Sequence, residues 1–204
     1  SYTPFIITKS MKIFFLGISG TFMGNLAQIA KHQGHDVLGV DEKVYPPMSI
    51  ELKSSGIEFL EGYIAKNYRS ADLYVIGNTI SRGNEILEHI LESQDKIISG
   101  PDWLYKNVLN SKKVIAVSGT HGKTSVTSMI AHALIDNEEN PSYLVAGIPK
   151  GFNASWNLSD SHYFVIEADE YDTAYFDKKP KFFHYKPEIL VINNIEFDHA
   201  DIYK

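Results

Sequence analysis

The stretch VIAVSGTHGKTS, Val114 to Ser125, decides how the chain is read. An apolar run ends in a glycine-rich turn, and Gly-Lys-Thr then opens a segment with helical spacing. This is the strand–loop–helix setting of a phosphate-binding loop. Glycines let backbone N–H groups converge on phosphate oxygens, and the helix N-terminus adds positive potential. The general pattern G-x-x-x-x-G-K-[ST] asks for a first glycine where this chain has Val117. Gly119 instead shortens the loop to G-T-H-G-K-T. Lys123 is placed to reach outer phosphates and the Thr124 hydroxyl to ligate Mg2+. Gly119, Thr120, His121, Gly122 and Ser125 complete the candidate ATP-binding set. The competing reading is a plain glycine turn with an exposed lysine, which the flanking strand and helix disfavour.

Beyond the loop, Val126, Met129, Ile130, Ala133 and Leu134 recur at helical spacing and predict an amphipathic helix. YLVAG, HYFVIEADE and PEILVINNIEFDH hold three further apolar runs. In HYFVIEADEYD, Glu167 stands nearest the strand end and is the sharper candidate for a magnesium ligand. A hard Mg2+ takes one or two carboxylates together with water and phosphates. Asp169, Glu170 and Asp172 cannot all face one ion, and at least two of them are expected in a solvated acidic turn. In VINNIEFDHAD a buried strand is expected to end in Asn193, Asn194, Glu196, Asp198 and His199. Ligands of open α/β sheets lie beyond the carboxyl ends of strands, so this tip is expected to face the loop.

The first half alternates strand and helix. KIFFLGIS (Lys12–Ser19) reads as a buried parallel strand. Phe22, Leu26, Ile29, Ala30 and Gln33 follow with helical spacing, and Gly34 stops the helix. VLGVDE, IEFLEGY, DLYVIGN and KIISG read as further strands, with helices near Glu85–Ser93 and Pro101–Asn110. Such alternation predicts a parallel sheet with helices on both faces, with a domain boundary near Asn110–Lys113. GISGTFMG carries Gly17, Gly20 and Gly24 as G-x-x-G-x-x-x-G rather than the dinucleotide form G-x-G-x-x-G. It points to a backbone approaching some pyrophosphate more than to NAD, with packing glycines in a tight turn as the alternative. Asp41 ends the second strand, about where an acid meets a ribose hydroxyl.

Composition sets outer bounds. The 204 residues allow one or two domains, and a 44% hydrophobic and 22% charged chain is ordinary for a globular protein. A net charge of −6, with no basic run that resembles a polyanion-binding patch, argues against a general nucleic-acid or anionic-membrane binder. The absence of cysteine excludes disulfides, thiolate metal sites and a cysteine nucleophile. No uncharged apolar stretch approaches the ~18 residues of a membrane span. The leader SYTPFIITKS lacks a basic n-region and a cleavage site, and no function is assigned to it.

The short G-T-H-G-K-T loop, E-A-D-E and N-I-E-x-D-H, in tandem with a glycine-rich first half, resemble the Mur ligase family from Met11 onward. The resemblance implies an α/β fold. An N-terminal Rossmann-like parallel-sheet domain for a UDP-sugar (residues 11–110) precedes a truncated P-loop-type α/β ATPase domain (111–204). It implies that Lys123 and Thr124 serve ATP and Mg2+, that Glu167 is a magnesium ligand, and that His199 matches the ligand of a second magnesium. Lys123, Glu167 and His199 form the implied catalytic set. Gly17, Gly20, Thr21, Asp41 and Asn78 would line the UDP-sugar site, with Arg82 on a pyrophosphate.

VYPPMS, GNTISRGN, SGPDWL and EADEYDTAYFDKKPKFFHYKP resemble the branch that adds a murein tripeptide to UDP-N-acetylmuramate. The nearest alternative is the L-alanine-adding branch, and a non-catalytic UDP-sugar-binding module is an alternative of another class. The implied reaction is cytoplasmic and ATP-dependent. The lactyl carboxylate attacks the γ-phosphate to give an acyl phosphate, which the peptide amine then opens. The family's C-terminal domain has no counterpart in these residues, so this piece alone is expected to be catalytically incomplete.

Overall fold

The computed structural model describes residues 9–195, which form two compact units dividing between Ser99 and Gly100. In the first unit, β1 (Lys12–Leu16), α1 (Thr21–His32), β2 (Asp36–Asp41), α2 (Met48–Ser54) and β3 (Glu58–Glu61) come first. They are followed by β4 (Leu73–Ile76), α3 (Glu85–Glu92) and β5 (Ile97–Ser99). The strands lie in the order β3-β2-β1-β4-β5, and every pairing is parallel. Ile13, Phe14, Phe15 and Leu16 of the central strand are fully buried. A strand covered on both faces must be apolar throughout, which is why KIFFL shows no alternation. Leu26, Ile29 and Ala30 of α1 are buried as their spacing predicts, and Ala27 is buried with them. Asn84 caps α3, its side chain accepting from the Leu87 N–H.

The strand order reverses beside β1, so the turns after β1 and β4 adjoin there. A Cβ on Gly17 would lie 3.7 Å from the Gly77 Cα. Helix α2, which begins at the end of the VYPPMS segment, was not foreseen from spacing. Met48 and Leu52 bury their side chains, but its seven residues are too short to display a helical period.

The second unit contains α4 (Gly100–Asn107), β6 (Lys113–Ser118), α5 (Lys123–Asp136), β7 (Ser142–Leu144), β8 (Trp156–Asn157) and β9 (Tyr163–Glu167). The hairpin β10 (Asp172–Ala174) and β11 (Asp177–Pro180), α6 (Lys181–Tyr185) and β12 (Ile189–Ile192) follow. Its sheet runs β12-β6-β9-β7-β8, parallel except for the antiparallel β7–β8 pair. Compactness places α4, read from sequence as the end of the first half, with this unit, where it packs against α6.

Two expectations need correction. The face that α5 buries carries Thr127, Ile130, Ala131 and Leu134, while Met129 is 61% exposed. The stripe is offset from the predicted one because it begins with a polar residue. The Thr127 hydroxyl is satisfied by the Lys123 carbonyl at 2.7 Å, so burial costs it little. Strand β12, expected to be buried, leaves Ile189 and Ile192 about half exposed, because among the described residues it is an edge of its sheet. No helix of the described residues is long and apolar enough to cross a membrane.

Candidate functional site

Strand register assembles the site. β6 lies between β9 and β12, with Val117 level with Glu167 and Ser118 level with Ile192. The chain therefore leaves three neighbouring strands at one height, at the loop, at Glu167 and at Asn193. Gly119 and Gly122 take positive φ values of 141° and 77°, which lets the loop turn and open α5 at Lys123. The first N–H groups of that helix have no intrahelical acceptors and point out of its N-terminus.

The tip after β12 holds the loop by its backbone. The Asn194 side-chain oxygen accepts from the N–H groups of Thr120 at 2.7 Å and His121 at 3.0 Å. The side-chain amides of Asn193 and Asn194 both donate to the His121 carbonyl, at 2.7 and 2.8 Å. A Cβ on Gly122 would come within 2.9 Å of the Asn193 amide nitrogen, so a side chain there would push that amide from its place. The two asparagines thus meet the loop as expected, and their action is on its peptide groups. Glu196, Asp198 and His199 lie outside the described residues.

Lys123 and Thr124 face the acidic strand end. The Thr124 hydroxyl donates to Glu167 Oε1 at 2.8 Å, and Glu167 Oε2 accepts from the Ala146 N–H. A hydroxyl and a carboxylate side by side at the mouth of a phosphate loop are hard oxygen donors of the kind Mg2+ takes, so the residues fit that ion. Lys123 donates to the Gly119 carbonyl at 2.6 Å and faces Glu170 at 3.6 Å. The acidic turn is largely not solvated, contrary to expectation. Glu170 is 14% exposed beside Lys123, and Asp169 accepts from the buried Lys181 at 2.7 Å. Asp172, paired with Lys178, is the most exposed of the three, with 44% of its side chain open to solvent. Lys181 was missed because it sits in the basic run KKPKFF, which reads as a charged surface.

In the first unit Gly17 has φ of 89°, Gly20 caps α1, and Gly20, Thr21 and Asn78 are exposed at the strand ends. Asp41 is committed within the fold. It accepts from the Ser19 N–H at 2.9 Å, the Ser19 hydroxyl, the Glu42 N–H and the Tyr63 hydroxyl at 3.1 Å. It thereby ties the end of β2 to the glycine turn. Burial, and then the Asp41 charge, push the Tyr63 phenol well above its ordinary range. Arg82 is held in a two-pronged pair with Glu88, at 2.8 and 2.9 Å. The Arg82 hydrogen bonds, helped by the Gly83 N–H, hold the Glu88 carboxyl down to about 2.

A parallel-sheet unit of order 3-2-1-4-5 is followed by a mixed-sheet unit with a short glycine-rich strand-to-helix loop, and the chain belongs to the Mur ligase family. Residues 12–112 match its catalytic domain and residues 117–204 its middle domain. The chain is 50% identical over 192 residues to the UDP-N-acetylmuramate–L-alanyl-γ-D-glutamyl-meso-2,6-diaminoheptandioate ligase of Haemophilus influenzae. It is 49% identical over 194 residues to the ligase of that name from Escherichia coli. These alignments cover 94% and 95% of the chain but 42% of each relative, so it spans about two fifths of their length. A crystal structure of the corresponding ligase from Neisseria meningitides superposes with a TM-score of 0.90 at 48% identity. That match covers 96% of this chain and 64% of the other. The UDP-N-acetylmuramate–L-alanine ligase of Dictyoglomus turgidum is 37% identical over 96% of this chain and 40% of its own length.

Proposed function

We propose that the protein carrying this chain is a cytoplasmic, ATP-dependent ligase that joins L-alanyl-γ-D-glutamyl-meso-diaminopimelate to UDP-N-acetylmuramate in peptidoglycan recycling. The observation that carries the reading is the meeting of Lys123, Thr124 and Glu167 at level strand ends, in a chain half identical to ligases named for that tripeptide. Residues 11–110 serve as the UDP-sugar domain and residues 111–204 as part of the ATP domain. No nucleic-acid or membrane partner enters this reading.

A carboxylate is a poor electrophile until it is phosphorylated, so the lactyl carboxylate of the sugar first takes the γ-phosphoryl group of ATP. ADP leaves, and the resulting acyl phosphate is opened by the alanine amine of the peptide, which releases phosphate. The loop residues Gly119–Ser125 hold the triphosphate through backbone N–H groups, and Lys123 neutralises charge on the phosphoryl group in transfer. Thr124 and Glu167 are the groups that would hold magnesium, which when bound supplies charge neutralisation at the phosphates. His199 is assigned to a second magnesium on motif position alone. Gly20, Thr21 and Asn78 supply the exposed turn for the UDP-sugar, and the buried Gly17 lets the chain turn beneath it. Asp41 acts there by shaping the turn through Ser19, and Arg82 reaches a pyrophosphate only by leaving Glu88.

The test is to incubate the full-length enzyme with ATP, UDP-N-acetylmuramate and either the tripeptide or L-alanine, following phosphate release and product mass. The reading expects ligation of the tripeptide and its loss in Lys123→Ala. Turnover with free alanine alone refutes the choice of acceptor, and intact nucleotide under all conditions refutes the ligase reading.

A further inference from the structure

The turn after β9 carries two ion pairs back to back. On one side Glu170 faces the Lys123 ammonium at 3.6 Å, with the two side chains only 14% and 18% exposed. On the other, Asp169 takes a 2.7 Å hydrogen bond from Lys181, whose side chain is 8% exposed at the start of α6. Tyr185 of the same short helix is fully buried, and burial, followed by the Asp169 charge, pushes its phenol well above the ordinary range. An enclosed charge pair is retained only with good geometry, and breaking one partner leaves the other uncompensated. The Lys181–Asp169 pair therefore fixes the turn, and with it the place of Glu170.

Lys123 needs such a fixture. A lysine stem has several freely rotating bonds, and much of that rotamer freedom is lost when the ammonium engages a phosphate. The Gly119 carbonyl and Glu170 already hold the ammonium at the loop before any ligand arrives. We propose that Glu170 is a positioning residue for Lys123, and that the buried Lys181–Asp169 pair is its support. Preorganisation of this kind strengthens binding by reducing what must be ordered on association. An acid paired to a phosphate-binding lysine plays the corresponding part in protein kinases. The inference rests on the ATP reading given above and extends it to three residues, Glu170, Asp169 and Lys181.

The test is calorimetric titration of the full-length enzyme with MgATP, alongside the melting temperature of each variant. Glu170→Gln is expected to raise the Kd about tenfold, within the range of direct couplings between contacting residues. Lys181→Met combined with Asp169→Asn removes the supporting pair as a unit, leaving no lone buried charge, and is expected to raise it comparably. Adding Glu170→Gln to that double variant should give little further loss, because both act through Lys123. Asp172→Asn, at the start of β10 and paired with Lys178 rather than Lys123, should leave the Kd unchanged. Glu170→Gln that binds MgATP as tightly as the parent, or more tightly, overturns the proposal. So do losses that multiply when combined, which would mark Lys181 and Asp169 as merely structural. A folded parent that does not bind MgATP instead refutes the ATP reading, and the inference with it.

Discussion

Glu167→Gln separates the structural part of the site from its ion-binding part. The carboxylate accepts two hydrogen bonds, from the Thr124 hydroxyl at 2.8 Å and from the Ala146 N–H. Glutamine has the same length, and its oxygen can keep the Ala146 bond. Its NH2 group then donates to the Thr124 oxygen, whose own hydrogen turns away. Each bond falls from the ~1.5–3 kcal/mol of a charged acceptor to the ~0.5–1.5 kcal/mol of a neutral pair. A fall of about 1–1.5 kcal/mol in each of the two bonds should cost the fold about 2–3 kcal/mol, and less because Glu167 is only half-buried. Magnesium affinity should suffer more, since the carboxylate is gone and the amide now occupies a lone pair of the hydroxyl. Altering a residue one step removed from a metal costs roughly 10- to 100-fold in affinity, so removing a ligand should cost at least that. MgATP titration and urea unfolding on the same variant measure the two effects, with magnesium-free ATP as the reference. Unchanged MgATP affinity would refute the assignment, and a loss of stability well beyond 3 kcal/mol would show that the carboxylate is chiefly a structural anchor.

Further expectations concern the loop, the switch point and alkaline pH. Gly122→Ala forces a φ of 77° on a residue with a Cβ and displaces the Asn193 amide. The cost should be about 1–2 kcal/mol for the backbone plus roughly 1 kcal/mol for the lost Asn193–His121 bond. MgATP affinity and the urea midpoint should fall together. Gly77→Ala places a Cβ 2.9 Å from the Leu16 carbonyl, a backbone atom in a buried sheet that cannot step aside. It should destabilise the first unit by about 1–3 kcal/mol, read from the urea midpoint. Tyr63 has a folded pKa raised above the ordinary value of 10.0, so the folded state binds its proton more tightly. That contribution is fully present below pH 10.0 and is lost as pH rises through the folded value. Tyr63→Phe should flatten the alkaline stability slope of the first unit, and an unchanged slope would show that Tyr63 does not contribute to it.

The sequence by itself determined those features whose cause is local. A buried parallel strand must be apolar along its length, so KIFFL and VIAV announce themselves. A phosphate loop needs glycine at fixed offsets from lysine, so G-T-H-G-K-T was legible without a neighbour in view. The Glu167 strand end and the two asparagines were legible as polar tips of apolar runs. What no local pattern carries is which polar group answers which. Register decided that Glu167 meets Thr124 and that Asn194 grips the loop by its peptide groups. Tertiary contact turned Asp41 inward onto Ser19 and Tyr63, and drew Arg82 onto Glu88. The buried face of α5 escaped because a threonine satisfied by its own helix counts as polar in sequence and as core in the fold. Lys181 and Asp169 are the clearest case: twelve residues apart in sequence, they read as a basic run and an acidic turn. The fold joins them out of water, where a charge stays only beside its opposite, and that pairing depends on three-dimensional position that spacing does not record.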